Sequence, residues 1–333
     1  MIGMRLALVA LALLVSLKAS AEEIKLATSR LLAYVAVPLM IDNGFLADEG
    51  LKVDLVTFDS AQPITVAVMS GDVDFGVGGL SGAFFNLAAG GKLRIIAAGT
   101  REMPGFNGFA YFVSNRAWAE GLRSLTDLPH HSVGVTQLGT TLEYSLGLAV
   151  EKYRLDFSTI RVMAMNSNTN LVAGLVGGQL DAGVVPSAIL QPEMERGTVK
   201  RLAWVGDEVP GIQNNVAYAS ERVITQNPDL VARFLRAYRK AARLYHDAVA
   251  DNDEKRRDGP HFKEVVASVA QFGHLTPEQA LGVLPWIDRD ARVDIADVKR
   301  QIAWYRSQGM IKGDVDLDAF LDRRFAEALP PQP

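Results

Sequence analysis

The sequence predicts a two-lobe α/β fold, each lobe a mostly parallel sheet flanked by helices, with a cleft between the lobes. Three observations predict it. The chain has 333 residues, enough for about two domains. Short apolar runs alternate with helical patterns from residue 24 onward, as in parallel or mostly parallel sheets. One motif also occurs twice: residues 69–83 read MSGDVDFGVGGLSGA and residues 176–189 read VGGQLDAGVVPSAI. Each copy runs from a glycine turn through an aspartate (Asp74, Asp181) to a short apolar strand, a small-residue loop and a helix start. Two copies far apart imply two lobes of one design whose loops face each other.

The elements follow in order. Residues 24–28 alternate and form a first strand. A helix follows through Pro38 and Met40 and ends at Asn43-Gly44, where glycine supplies the left-handed cap. Residues 51–58 (LKVDLVTF) are a strand of period two. Pro63 sits in the first turn of the next helix. Strands at 73–78 and 93–99 bracket a helix opened by Ser81. The apolar run 109–114 is the crossover into lobe two. There, strands at 132–136 and 160–164 each lead into a loop and a helix, the repeated motif follows, and 201–205 is a strand. Residues 215–219 lead back to lobe one. The rest is helical. After the cap Asn227-Pro228, residues Leu230, Val231, Phe234, Leu235, Tyr238, Ala242 and Tyr245 share one face, with Arg233, Arg236, Arg239, Lys240 and Arg243 mostly off it. Thr276 and Gln279 make a capping box.

Residues 1–21 stand apart. Arg5 precedes a continuous apolar run at 6–17, and Ala19-Ser20-Ala21 is a small-x-small cleavage site. That is a secretory signal, too short for a comfortable membrane span. The expected organisation is a signal peptide at 1–21, lobe one from 22–110 with 218–333, and lobe two from 111–217. The chain has no cysteine, so its core stands without disulfides, a thiol nucleophile is excluded, and a lipid-anchoring cysteine is lacking. A formal net charge of −4 argues against a nucleic-acid binder.

Little in the sequence suggests a reaction. His130, His131, His246, His261 and His274 show no zinc-helix spacing. The glycine-rich loops fit neither G-x-G-x-x-G nor a P-loop. Residues 79–83 approach the G-x-S-x-G elbow of hydrolases, which makes Ser81 a candidate nucleophile and a serine hydrolase or lyase the rival reading. The competing role for Ser81 is to offer its hydroxyl and nearby backbone N–H groups to a ligand. In open α/β sheets ligands bind beyond the carboxyl ends of the strands. The loops there are 29–34, 58–61, 78–82, 100–103, 137–141, 166–170 and 185–188. They carry Leu32, Gly79 and Val185, and the donors Ser81, Gln137, Thr140, Thr141, Asn168 and Ser187. Arg30 and Arg101 are the cations at these strand ends, which suits a small organic anion. The alternative for each is an ion pair, for instance with Glu102 or Asp59. Tyr34 and Phe58 are candidate apolar walls.

The segments NGFLADEGLKVDLVTF (43–58), VMSGDVDFGVGG (68–79), SLTDLPHHSVGVTQLGTT (124–141) and VGGQLDAGVVPSAI (176–189), in this order and spacing, carry a family likeness. The chain resembles the periplasmic substrate-binding proteins of ABC importers in the sulfonate, taurine, nitrate and thiamine-pyrimidine-precursor (NMT1/THI5-like) group. The resemblance implies a periplasmic-binding-protein fold of type II, whose lobes close on a solute by a hinge, near 109–114 and 215–220. It implies delivery of that solute to an inner-membrane permease, with no cofactor, no metal and no reaction. It supports binding roles for Arg30, Ser81, Gln137, Thr140, Thr141, Pro186 and Ser187. The chain departs from many members after Asp181, where Ala182-Gly183-Val184-Val185 replace an aromatic or acidic residue. It also lacks the cysteine-rich segment of the pyrimidine-synthesising enzymes of this fold. A monomer, soluble in the periplasm and free of a lipid anchor, is expected.

Overall fold

The structure, a computed structural model, describes residues 21–330. The secretory signal read at 1–21 lies outside them except for Ala21. The chain begins in one sheet with β1 (Glu22–Thr28), β2 (Leu51–Thr57), β3 (Phe75–Gly79) and β4 (Leu93–Ala98). After the two-residue β5 (Thr100–Arg101) it enters a second sheet as β6 (Phe109–Ser114), β7 (Ser132–Val135), β8 (Arg161–Ala164), β9 (Ala182–Pro186) and β10 (Val199–Trp204). It returns to the first sheet as β11 (Asn215–Ser220), and β12 (Trp286–Ile287) later pairs with β5.

The two sheets share one topology. The first has the order β2-β1-β3-β11-β4 and the second β8-β7-β9-β6-β10. In each, four strands point the same way and the strand that carries the chain across lies antiparallel between the third and the fourth. Residues 109–114 and 215–220 are therefore interior strands, and the crossings are the segments just before them.

The repeated aspartates explain the likeness. Asp74 accepts a hydrogen bond from the backbone N–H of Lys25 in β1 at 2.8 Å. Asp181 accepts from the N–H of Ser132 in β7 at 2.7 Å and from its hydroxyl at 2.8 Å. Aspartate and partner are 49 residues apart in both lobes. In each case the turn before the third strand clamps the first strand.

The helix Pro228–Val249 packs behind the first sheet. The seven residues read as its apolar face are all buried, and the Phe234 ring stacks on Phe75 of β3 at 4.1 Å. Burying each such aromatic contributes roughly 2–3 kcal/mol. The basic residues off that face pair within the chain: Arg236 with Glu49 at 2.8 Å, Arg243 with Asp290 at 2.8 Å, and Arg233 with Glu22 and Asp229. The helix Ile295–Ser307 closes the edge between the sheets, where Trp304 meets Tyr144 and Phe157 from the second-sheet segment.

Candidate ligand-binding site

Loops at the carboxyl ends of the parallel strands meet between the sheets and line a partly open cavity of about 60 Å³. The first sheet supplies Ser29, Leu31, Ala33 and Tyr34 after β1, Asp59 to Ala61 after β2, and Gly79 and Leu80 at the end of β3. The second supplies Thr136, Gln137, Thr140, Thr141 and Leu142 after β7, Asn168 after β8, and Pro186 from β9. The antiparallel strands add their starts, Asn214 and Asn215 in the first sheet and Phe109 in the second. On one flank the sheets touch directly. Ser81 and Thr140 form an antiparallel bridge, and the Gly82 N–H donates to Gly139 O at 2.8 Å.

Several helices start at this cavity, and two of them, one from each side, stand out by their capping residues. Ser60 precedes Ala61–Ser70 and Thr140 precedes Thr141–Lys152. Both are good capping residues in extended conformation, yet neither side chain caps its helix. The Thr140 hydroxyl donates to Gln137 O at 2.9 Å instead. By contrast, Ser81, Ser114, Ser167, Ser220, Thr276 and Asp294 all make their cap bonds. First-turn N–H groups at Ala61 and Thr141 are left for another acceptor, in the positive end of each helix dipole. Three further polar atoms are buried without a partner, and their residues line the cavity: Ser29 Oγ, Asn168 Oδ1 and Asn214 Oδ1. Such atoms are costly to bury unless a ligand or water meets them.

Burial shapes the titration of three groups here. It pushes the Tyr34 hydroxyl up to about 12, so the phenol keeps its proton through the neutral range. It also raises Glu143, against the pull of the Gly139 N–H that donates to its carboxylate at 2.5 Å. Glu102, at the start of the first crossing, is pushed up to about 8 by burial, which outweighs hydrogen bonds from Asn214 and the Phe109 N–H.

Seven of the residues expected from sequence line the cavity: Tyr34, Gly79, Gln137, Thr140, Thr141, Asn168 and Pro186. Phe58 lies just outside, in a shallow groove with Pro63 and Val66 that shares Gln137. The others turn elsewhere. Leu32, in the short helical turn after β1, and Val185, in β9, are buried in the hydrophobic core. The Ser187 hydroxyl donates to Asn107 O and to Gly108 O, tying the first crossing to its helix. Ser81 caps its own helix, its Oγ accepting from Phe84 N at 3.0 Å, and it meets the cleft only through its backbone bridge to Thr140. Among the described residues no hydrogen bond joins that hydroxyl to a histidine, and His246 is engaged by Glu254 at 2.9 Å.

Neither expected cation reaches the cavity. The Arg30 guanidinium lies over the Phe272 ring, 5.6 Å from its centroid. Arg101 is 2% exposed, pairs with Asp294 and stacks over Trp286, because β5 is bound to the late strand β12. Neither pairs with Asp59 or Glu102. The cavity instead includes Ser29, Asp59, Phe109, Thr136, Asn214 and Asn215, none of them among the site residues expected from sequence. The polar run Gln213-Asn214-Asn215 at the start of β11 was the available signal.

Among the described residues no cluster of three histidine or carboxylate side chains is placed to hold a metal, and no helix is long and apolar enough to cross a membrane. A search of curated proteins gives no match. Solved structures share the fold. The alkanesulfonate-binding protein SsuA of Xanthomonas axonopodis pv. citri, bound to MOPS, superposes with a TM-score of 0.72 at 18% identity, over 91% of this chain and 99% of that one. The ligand-binding component of an ABC-type import system from Staphylococcus aureus gives 0.74 at 14% identity, over 91% and 97%. The nitrate-binding protein NrtA of Synechocystis PCC 6803 gives 0.67 at 13%, over 92% and 87%. The fold is thus the two-lobe periplasmic-binding-protein architecture expected from the sequence. The family model described as NMT1/THI5 like matches residues 33–254, from the loop after β1 through both sheets to just past the long helix behind the first. On the strength of that match, the chain belongs to the NMT1/THI5-like family.

Proposed function

We propose that the chain is a solute-binding protein of an ABC import system, closing its two lobes on a small organic anion and delivering it to a permease. One observation carries the reading: two helices, one from each lobe, turn uncapped N-termini into a cavity lined by both sheets. An anion there accepts N–H groups that have no other partner and sits in two favourable dipoles, each contributing roughly 0.3–1 kcal/mol or more when buried. The charge is held by backbone and hydroxyl groups, with Arg30 and Arg101 taking no part. Sulfonate- and carboxylate-like solutes suit this chemistry, and the binding proteins of like fold for sulfonates and nitrate support it. Because solute touches both lobes, it favours the closed form by its difference in affinity for the two states.

The lobe boundaries fall at the two crossings, before β6 and before β11, which serve as the hinge. The protein works as a monomer in the periplasm, exported by residues 1–21 and without a lipid anchor. No chemical step is assigned to Ser81, whose hydroxyl is spent on its helix.

A thermal-unfolding screen of sulfonates, carboxylates, nitrate and pyrimidines tests the reading. A cognate anion at a hundred times its Kd adds about 2.7 kcal/mol, which for a chain of this size raises Tm by roughly 5 °C. A rise with uncharged compounds alone would sink the anion assignment, and no rise with any solute would sink the binding role.

A further inference from the structure

Asn214 stands out among its neighbours. Gln213 spends its side-chain amide on Gly99 O, Thr100 O and Asn215 O. Asn215 donates to Ala33 O at 3.1 Å and to the Thr100 hydroxyl at 2.6 Å, while its Oδ1 accepts from Thr100 N at 3.2 Å. Asn214, only 2% exposed, uses one end of its carboxamide. Nδ2 donates to Glu102 Oε1 at 2.6 Å, and Oδ1 is buried with no partner. Its backbone is pinned on both sides, by Thr100 O at 2.9 Å and Leu80 N at 3.2 Å. The one freedom left is a half-turn of the carboxamide, which exchanges Oδ1 for Nδ2 at nearly constant shape.

Glu102 controls that half-turn. Its backbone is fixed to the second crossing through Ile212 O and Gly211 N, and its Oε2 accepts from Phe109 N at 3.2 Å. Gly108 admits it, since a Cβ there would lie 2.6 Å from Oε1. The titratable and charged groups around it are few. Asp207, on the segment after β10, opposes its charge, Tyr111 on β6 spends its hydroxyl on Ser145 O, and Arg101 is turned to Asp294.

We propose that Glu102 and Asn214 form a proton-dependent selector of the solute. With Glu102 ionised, the carboxylate holds Nδ2 and Asn214 offers Oδ1 to a donor on the solute. With Glu102 protonated, its O–H donates to Oδ1, the carboxamide turns, and Nδ2 meets an acceptor on the solute. Glu102 exchanges its proton with solvent and not with the solute, so no bond of the solute is made or broken. Asn214 is the specificity-determining residue and Glu102 its positioning residue. This rests on the reading of the cavity as a solute site. Burial places the carboxyl's titration near pH 8, so both forms are reachable in ordinary buffers.

Calorimetry with taurine, which ends in a donor, and sulfoacetate, which ends in an acceptor, tests the selector at pH 6.5 and pH 9. For the full-length protein, the affinity ratio of taurine to sulfoacetate should rise at least tenfold between the two values. In Asn214→Leu and in Glu102→Gln the rise should fall by that factor. The variants share every ionisation of the probes, so the difference belongs to the pair. An equal rise in wild type and both variants overturns the proposal. NMR of the unliganded protein supplies a second readout. The Asn214 side-chain amide resonances should shift with the Glu102 carboxyl titration, and amide resonances that stay fixed through it overturn the selector whether or not a probe binds. If they shift while neither probe nor any solute of the thermal screen binds, the cavity's role as a solute site fails and the proposal fails with it.

Discussion

The two sheets offer the cavity matching positions filled with opposite chemistry. In the first, the last residue of the third strand, Gly79, is paired with Asn215 at the start of the antiparallel strand. In the second, the corresponding pair is Pro186 and Phe109. All four line the cavity. One lobe thus presents amide groups and open backbone, and the other presents a ring and an apolar corner. In the proposed binding role, equal topology would set where the solute sits, and unequal side chains at equal positions would set which way round it lies. The difference also reaches the aspartate clamps and the strand glycines behind the cavity, where it can be measured.

The clamps should differ most. Asp181 is 6% exposed, accepts from both the Ser132 N–H and hydroxyl, and pairs with Arg116. Asp74 is half-buried and accepts from the Lys25 N–H. Asp181→Ala leaves buried donors unmet and should cost about 3 kcal/mol in urea unfolding, against about 1 kcal/mol for Asp74→Ala. Equal costs would show that the clamp serves as a turn in both lobes and as an anchor in neither. pH sharpens the contrast. Burial alone would raise the Asp181 carboxyl, but Ser132 and Arg116 outweigh it and hold the group below the ordinary range. The folded state therefore binds its proton more weakly than the unfolded state. The stabilisation is complete above the unfolded value, near 4, and is lost as pH falls through the depressed folded value. Asp181→Asn should flatten that acid limb of the stability curve.

Much of this architecture was legible because it is local. Strand period, glycine turns and the repeated aspartate placed both sheets, and the 49-residue span of each clamp follows from two copies of one unit. The loops after β1, β2, β3, β7 and β8 were found for the same reason. The antiparallel starts were harder to see. A rule that looks beyond the carboxyl ends of strands passes over Phe109, Asn214 and Asn215, since an antiparallel strand brings its amino end to that edge. Arg101 was misplaced for a different reason. Its partners, Asp294 and Trp286, lie more than 180 residues on, and no periodicity in the chain foretells that β12 returns to pair with β5. Likewise, the vacancy at Thr140 has no sequence signal, because threonine is a good capping residue by type, whereas at Ser60 the signal is Pro63, which leaves the third helical position without the N–H that a cap would meet.

The strand glycines give the smallest expected effect and the finest test of lobe equivalence. Gly76 and Gly183 each lie two residues after the clamp aspartate and face the helices that cover their sheet. A Cβ on Gly76 would stand 2.7 Å from the Tyr218 ring and 2.9 Å from Val68. Tyr218 is fully buried, its hydroxyl 3.2 Å from that of Thr65, so the ring has no room to retreat. On Gly183 the nearest atoms are at 3.2 Å, Gly134 O and a Leu175 methyl, and the leucine can yield by a few tenths of an ångström. Gly76→Ala should therefore lower stability by about 2 kcal/mol and Gly183→Ala by less than about 1 kcal/mol, both read from the urea midpoint at constant slope. If Gly183→Ala costs as much as Gly76→Ala, the second sheet is packed as tightly as the first. Differences between the lobes would then be confined to the side chains that line the cavity.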